Sequence, residues 1–460
     1  MALILCPLQS AARRWGDAIA IDGHGQQLSY MQLDSRVTGL CNDLRKQGVN
    51  SGDHVGYCAD NKVEAVVLMY ACFRLNAVFI PLSTRFPAAQ LQQLLEQLNI
   101  RFLYHDDAAI NGITSLQLPQ NDGEQLWRFD ASVPATMVLT SGSSGQPKAA
   151  VHNLLQQMAA AEGSFDQTPL TVGDRWLLSL PLYHIGGMAI LFRCLLSGAT
   201  AVLPQHKAAE DCLAPQQISH VSMVATQAQR LLAKSDTSER VASLRVVLLG
   251  GGAIPAQLAD LFATYSQLRA LTSYGMTEMG SQITTGVANN QGLAGFPLAG
   301  RQIRINEDSD VIEVKGDCLF MGYYQRGQLQ QPFDRDGWFA TNDRGQWIGE
   351  QLKIIGRADN MFISGGENVQ PEAIEAVISH CNGVKQVIVV PIDDSEFGQL
   401  PVAIVAGDYD QVALEKRLNK KLARFMRPRQ FLRWPNNNDN TGIKVNRQAM
   451  MRYAQQQLAC

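Results

Sequence analysis

Along the first hundred residues, short apolar runs alternate with longer stretches in which apolar positions recur every three or four residues. Side chains repeat with period two along a strand and 3.6 along a helix, so the runs predict strands and the stretches predict helices. Residues 18–21 predict a strand, Asp22-Gly23-His24-Gly25 a turn, and Ser29-x-x-Gln32 a capping box that opens a helix ending at Gly48. Strands follow at 55–59 and 78–82, and helices at 63–75 and 88–98. This βαβ rhythm predicts a mostly parallel sheet with helices on its faces. It continues through strands at 137–140, 176–179, 201–203, 221–224 and 245–249.

From Gly300 the pattern changes. Residues 301–315 alternate in the β manner, and turns at Gly316, Gly322, Gly327 and Gly337 predict a small antiparallel element. Another pattern begins near Gly356, with a helix from Pro371, strands at 387–391 and 401–405, a helix at 411–425 and a last helix after Arg447. The expected fold class is α/β: a large N-terminal region of α/β layers with the small antiparallel element, residues 1–356, and a separate small α+β domain, residues 357–460.

Composition narrows the ligands. Hydrophobic residues make up 46% of the 460 and charged residues 18%, which favours a large buried core over disorder. Lysine and arginine number 39 against 42 aspartate and glutamate, with no long run of either sign. Neither nucleic acid nor an anionic membrane is therefore the expected partner, and small molecules are. The nine cysteines include no C-x-x-C pair and sit mostly in apolar stretches, so they are expected to be reduced core residues. The longest apolar segment, residues 66–82, is broken by Arg74 and Asn76, and no segment reaches the ~18 residues of a membrane-spanning helix. The run 2–6 is too short for a signal peptide, so the expected compartment is the cytoplasm. A homo-oligomer is compatible with these features.

The chemistry begins after the strand at 137–140, which runs into Thr140-Ser141-Gly142-Ser143-Ser144-Gly145-Gln146-Pro147-Lys148. Backbone N–H groups of such a turn converge on an anion, glycines remove obstructing Cβ atoms, hydroxyls add donors and the lysine adds charge. Phosphate is the expected guest. A Walker A loop needs Gly-Lys-Ser or Gly-Lys-Thr, and Pro147-Lys148-Ala149 lacks both the glycine and the hydroxyl. A second turn, Gly250-Gly251-Gly252-Ala253-Ile254-Pro255, follows a strand and precedes a helix. Its Pro255 stands where a dinucleotide fingerprint wants its third glycine, so alone it reads as a tight turn that could pass close to a flat ligand.

Together these motifs resemble the adenylate-forming acyl-CoA synthetase and ligase superfamily, from about Ala18 to the last helix. Leu139 to Lys148 looks like its phosphate loop, Tyr274-Gly-Met-Thr-Glu278 like its adenine and magnesium motif, and Gly356-Arg-Ala-Asp359 like its ribose and hinge motif. Within it, Leu180-Pro-Leu-Tyr-His-Ile-Gly-Gly187, Arg193, the Gly250 to Pro255 turn and Ser364-Gly-Gly-Glu-Asn-Val-Gln-Pro371 resemble the o-succinylbenzoate-CoA ligases of menaquinone biosynthesis.

The resemblance implies a two-step reaction using ATP, Mg²⁺ and coenzyme A. A carboxylate attacks the α-phosphorus, pyrophosphate leaves, and the thiol of coenzyme A then displaces AMP. It also implies that residues 1–356 hold the acyl and ATP sites, and that residues 357–460 swing about Asp359 between the steps. Thr140, Ser141, Gly142, Ser143, Ser144, Gly145 and Lys148 would hold the β- and γ-phosphates. Thr277 and Glu278 would hold the α-phosphate and Mg²⁺, with Glu278 the metal ligand. Tyr274 would stack on adenine beside Gly251 and Gly252, while Asp343, helped by Arg357, would take the ribose hydroxyls.

Lys444 matches the lysine that neutralises charge growing in the first transition state, and His184 lies where relatives place a residue near the acyl group. Arg193 would hold the second carboxylate of the acid, with Thr226, Gln227 and Gly250 as pocket walls. Seen alone, Tyr274 reads as a structural aromatic, Asp343 as a turn residue, Lys444 as solvated, and Arg193 as pairing with a protein carboxylate or reaching the surface.

Three departures stand out: Asn342 replaces the usual glycine before the ribose aspartate, Ile443 replaces the one before the lysine, and residues 360–364 lack the usual Ile-Lys, which leaves the coenzyme A contacts unplaced. The alternatives within the class are another aryl- or acyl-CoA ligase and an adenylation enzyme that loads a carrier protein. From another class, a catalytically silent nucleotide-binding sensor would keep the fold.

Overall fold

The computed structural model describes residues 3–106, 112–140, 148–252, 254–394, 396–435 and 445–458. Two large sheets dominate it. The eight-stranded sheet runs Gln328–Gln330, Gly322–Gln325, Lys148–Asn153, Pro134–Thr140, Val78–Pro81, His54–Cys58, Ile100–His105, Thr114–Ser115. The nine-stranded sheet runs Phe296–Pro297, Ser281–Val287, Arg269–Met276, Val246–Leu249, His220–Met223, Arg175–Leu177, Thr200–Val202, Ile19–Gly23, Gln26–Ser29. The single mostly parallel sheet expected from the βαβ rhythm is corrected by this arrangement. Each sheet has a parallel part fed by helical crossovers and is extended by antiparallel strands, which hairpins supply without a crossover.

Helices join the two sheets. The capping box at Ser29 forms in full, with the Gln32 backbone N–H donating to the Ser29 hydroxyl and the Ser29 N–H donating to the Gln32 side chain, and it opens helix Tyr30–Lys46. Helix Val63–Arg74 buries every residue except Glu64. These two and helix Ile185–Ser197 share one apolar core with Val55 and Phe79 of one sheet and Ile21, Trp176 and Leu248 of the other. A helix buried on all sides needs no amphipathic stripe, which accounts for the continuous apolar run at 65–73. No helix among the described residues is long and apolar enough to cross a membrane.

The predicted antiparallel element is a four-stranded sheet of Arg301–Ile305, Val311–Gly316, Phe339–Ile348 and Gln351–Arg357. Beyond it, strands Phe362–Ser364, Glu367–Val369, Val384–Asp394, Gly398–Gly407 and Gln430–Arg433 form a separate sheet. Ile374, Ile378, Leu414 and Leu418 of helices Pro371–Ser379 and Gln411–Lys421 cover one of its faces through Val389, Ala403 and Val405. Met450 and Ala454 of helix Arg447–Leu458 cover the other through Ile388, Val390, Val402 and Ile404. Both faces being covered, these strands read as unbroken apolar runs in place of alternation. The eight described cysteines are buried, and no disulfide joins any two of them.

Candidate active site

Strand Arg269–Met276 ends in a single 3₁₀ turn, Thr277–Met279, and this short element carries the Tyr274 to Glu278 motif. The Tyr274 hydroxyl donates to Asp343 Oδ2 at 2.7 Å, and Arg357 Nη1 donates to Asp343 Oδ1 at 3.3 Å. Arg357 also grips Asp359 with two parallel bonds, Nε to Oδ1 at 2.8 Å and Nη2 to Oδ2 at 2.9 Å. Tyr274 and Arg357, far apart in the chain, thus meet around the Asp343 carboxylate. Burial, together with the charge of Asp343, pushes the Tyr274 hydroxyl well above its usual pKa, so it stays a donor. The Arg357 fork holds the Asp359 carboxyl below its usual range.

Strand register makes this meeting possible, because Asp343 pairs with Arg357 across the antiparallel strands Phe339–Ile348 and Gln351–Arg357. Asn342, the departure from glycine, has φ +62°, a left-handed conformation that asparagine tolerates better than most side chains. It therefore does the backbone work of the glycine it replaces. Gly356 must be glycine, since its φ is +155° and a Cβ would lie 2.5 Å from Gln370 Nε2.

Glu278 is only 6% exposed, and Oε1 accepts from the Tyr323 hydroxyl at 2.6 Å. Tyr323 lies on strand Gly322–Gln325, paired with Lys148–Asn153, and the Lys148 ammonium sits 5.2 Å from the Tyr323 ring centroid. The exit of the phosphate loop and the acid of the adenine motif thus share one aromatic neighbour. Thr140 and Lys148 face each other at the open ends of two antiparallel strands, and the Thr140 hydroxyl donates to the Lys148 carbonyl at 3.5 Å. Ser141, Gly142, Ser143, Ser144 and Gly145 lie outside the described residues, as does Lys444.

The glycine turn closes in from the other side. Gly251 has φ +82°, and a Cβ there would come 3.3 Å from Val224 Cγ1; one on Gly250 would come 3.6 Å from the Ser273 carbonyl. A Cβ on Gly252 would meet nothing within 4 Å. Val224 precedes helix Ala225–Leu232, whose first turn holds Thr226 and Gln227, and the Gln227 side chain accepts from the Val224 N–H at 3.1 Å. The turn therefore lies between Val224, at the start of the helix that carries Thr226 and Gln227, and Ser273, the chain neighbour of Tyr274.

Arg193 belongs to helix Ile185–Ser197 and is 1% exposed. Its Nε donates to Ser164 Oγ at 3.1 Å, its Nη2 to Gln282 Oε1 at 2.5 Å, and its guanidinium lies over the Trp176 ring at 5.2 Å. Both readings made for Arg193 as an isolated residue are corrected: it does not reach solvent, and no carboxylate among the described residues pairs with it. Burial, with Arg301 nearby, lowers its pKa to about 9, so it remains charged at neutral pH. His184 is exposed at the N-terminus of the same helix, its ring 4.8 Å from that of Tyr183, and nine residues, about 13 Å of helix, separate it from Arg193.

The AMP-binding enzyme family model matches residues 8–324, and the AMP-binding enzyme C-terminal domain model matches residues 373–438. The chain belongs to the AMP-binding enzymes. Among curated relatives of this AMP-binding enzyme, the 2-succinylbenzoate-CoA ligase of Escherichia coli is 36% identical over 97% of this chain and 98% of that one. A solved structure of a single-site variant of E. coli MenE with bound OSB-AMS superposes at a TM-score of 0.88, 35% identity and 98% coverage of both chains. The o-succinylbenzoate CoA synthetase MenE of Bacillus subtilis is 25% identical and matches at 0.86. It was solved with the acyl-adenylate intermediate OSB-AMP, covering 98% of both chains, and with ATP and magnesium ion, covering 97% of this chain and 99% of that one.

Several residues of this AMP-binding enzyme's site were not singled out from the sequence. Tyr323 follows a turn glycine and carries no motif of its own. Ser164, Gln282 and Trp176 surround Arg193 from three separate elements. Glu372 accepts from Asn360 Nδ2 and from Gln370 Nε2, each at 2.5 Å, and from Arg447 Nη2 at 3.3 Å, while Arg447 Nη1 also bonds Glu375 at 2.6 Å. The start of the last helix, three residues beyond Lys444, is thereby tied to the Asp359 region. The signal for it in the sequence was that Arg447 stands three residues from Lys444, at the start of the expected last helix.

Proposed function

We propose that this AMP-binding enzyme joins o-succinylbenzoate to coenzyme A, with ATP as the energy source and an acyl-adenylate as the intermediate, giving o-succinylbenzoyl-CoA, AMP and pyrophosphate. The observation that carries the choice of acid is Arg193: a buried guanidinium with neutral protein partners suits an acid that keeps a second carboxylate when the first is activated. An unpaired buried charge costs several kcal/mol, which a bound anion offsets. The full-length likeness to the E. coli and B. subtilis enzymes supports the same reading.

The residues divide the work as follows. Tyr274 and the glycine turn flank adenine, and Asp343, oriented by Tyr274 and Arg357, accepts from the ribose hydroxyls. Thr140, the loop that follows it and Lys148 hold the β- and γ-phosphates, while Thr277 donates to the α-phosphate. Glu278 fits Mg²⁺: it is a buried carboxylate with one oxygen fixed by Tyr323, and no other hydrogen bond to its side chain forms among the described residues. Magnesium, when bound there, supplies charge neutralisation to the phosphate oxygens. Lys444 stabilises the negative charge shared by the attacking carboxylate and the α-phosphate, and His184 stands at the mouth of the acyl site. In the second step residues 357–460 turn about Asp359, which takes Lys444 away from the adenylate and brings coenzyme A to the carbonyl. We place the enzyme in the cytoplasm.

Pyrophosphate release measured across a panel of carboxylic acids, with and without coenzyme A, tests this function. Release with o-succinylbenzoate, and thioester only when coenzyme A is present, is expected. Preference for a monocarboxylic acid would overturn the substrate, and absence of release with every acid would overturn the catalytic reading.

A further inference from the structure

Arg193 is not the only buried cation in its neighbourhood. Arg301 is 7% exposed and gives its donors to three backbone carbonyls: Nε to Gln282 at 3.2 Å, Nη1 to Ala299 at 2.7 Å and Nη2 to Ala160 at 2.7 Å. No carboxylate among the described residues pairs with it either. Gln282, itself 2% exposed, lies between the two guanidiniums and accepts from Arg193 through its side chain and from Arg301 through its backbone. Its amide nitrogen is also placed, donating to Thr285 Oγ1 at 2.7 Å. Its strand, Ser281–Val287, pairs with the motif strand so that Gln282 stands opposite Gly275, beside Tyr274. One residue thus links the two regions, its backbone beside the strand of the nucleotide motif and its side chain on the arginine of the acyl region.

We propose that Gln282 is a specificity-determining positioning residue: it fixes the Arg193 fork relative to the adenylate while adding no charge, so the cation stays available to the retained carboxylate of the acid. This rests on the function proposed above. A neutral acceptor aims the guanidinium without cancelling it, whereas a carboxylate in the same place would satisfy Arg193 internally and leave it little to offer a substrate anion. Arg193 Nη1 makes no hydrogen bond among the described residues.

Gln282→Glu is the direct test, since the side chains have the same shape and the Thr285 hydroxyl, which donates to the Thr284 carbonyl at 2.8 Å, can turn to donate to the new oxygen instead. Pyrophosphate release is followed with o-succinylbenzoate and with 3-benzoylpropionate, the same acid without the aromatic carboxylate. The KM for o-succinylbenzoate should rise about 30-fold or more, with the KM for ATP and the use of 3-benzoylpropionate changed by less than about twofold. Equal losses with both acids would make Gln282 structural and overturn the proposal, as would no loss with either. Gln282→Met keeps the charge uncancelled but loses the aim. It should raise the o-succinylbenzoate KM by a smaller factor, about three- to tenfold, again sparing 3-benzoylpropionate, and it decides the matter if the glutamate variant does not fold. Wild-type enzyme that fails to activate o-succinylbenzoate would sink the functional reading; wild-type activity with indifferent variants would sink only the role of Gln282.

Discussion

Arg74 and Arg193 each place a guanidinium in a helix of otherwise apolar residues, and both are buried. Arg74 is paired: it forms an ion pair with Asp34 and donates from Nη1 to Thr38 Oγ1 at 2.8 Å. Arg193 has neutral partners alone. Breaking a buried pair strands the remaining charge, so Arg74→Ala should lower unfolding stability by about 2 kcal/mol, read from denaturant midpoints, with little effect on the acid used. Arg193→Lys keeps the charge but loses the planar fork. It should weaken o-succinylbenzoate use by about one to two orders of magnitude at unchanged ATP affinity; an acid without the aromatic carboxylate should be nearly indifferent. Sequence alone marks both residues as anomalies in apolar runs. It does not separate them, because Asp34 lies forty positions from Arg74 and the partners of Arg193 lie 29 and 89 positions away.

At the scale of elements, local signals were strong where the physics is local. The Ser29 capping box, the strand at 78–82 and the helix from Pro371 rest on short-range spacing, and the structure places them at Ser29, Val78–Pro81 and Pro371–Ser379. The helix expected at 411–425 ends earlier, at Lys421, and residues 424–426 form a separate 3₁₀ turn. Asn342 shows how an element can carry a functional demand in its backbone. Its left-handed conformation turns the chain immediately before Asp343. Asn342→Val puts a β-branched side chain in that conformation, at a cost of about 1 kcal/mol or more. Because the strain falls beside the ribose carboxylate, the KM for ATP should rise several-fold; Asn342→Gly should leave both stability and KM close to wild type.

At the scale of the whole molecule, the two half-reactions should respond separately. Lys444→Ala should lower acyl-adenylate formation by about 10²-fold or more while thioester formation from supplied acyl-adenylate stays nearly normal. Asp359→Pro should spare adenylation and block thioester formation by fixing the backbone about which residues 357–460 turn. Equal losses in both steps would contradict either assignment. Stability has its own pH signature. His152 and His220 are buried, and burial lowers the pKa of each to about 4. The unfolded chain takes up protons near pH 6.5 and the folded one does not, so the stability they contribute is complete above about 6.5 and is lost as pH falls toward 4. By pH 5 the loss is about 2 kcal/mol per histidine. Urea midpoints between pH 7 and 5 should show it, and His152→Gln should shallow the slope.

The sequence by itself determined the helices and strands that short-range periodicity and capping specify, the change of texture near Gly356, and, through its motifs, the resemblance to the adenylate-forming superfamily. It could do so because these depend on neighbours a few positions apart. Only the tertiary structure decided that the βαβ units divide between two sheets, that Tyr323 joins Lys148 to Glu278, and that Arg193 is buried without a carboxylate. Those depend on contacts between distant segments, where a shared core sets which side chains meet, and no local spacing encodes that.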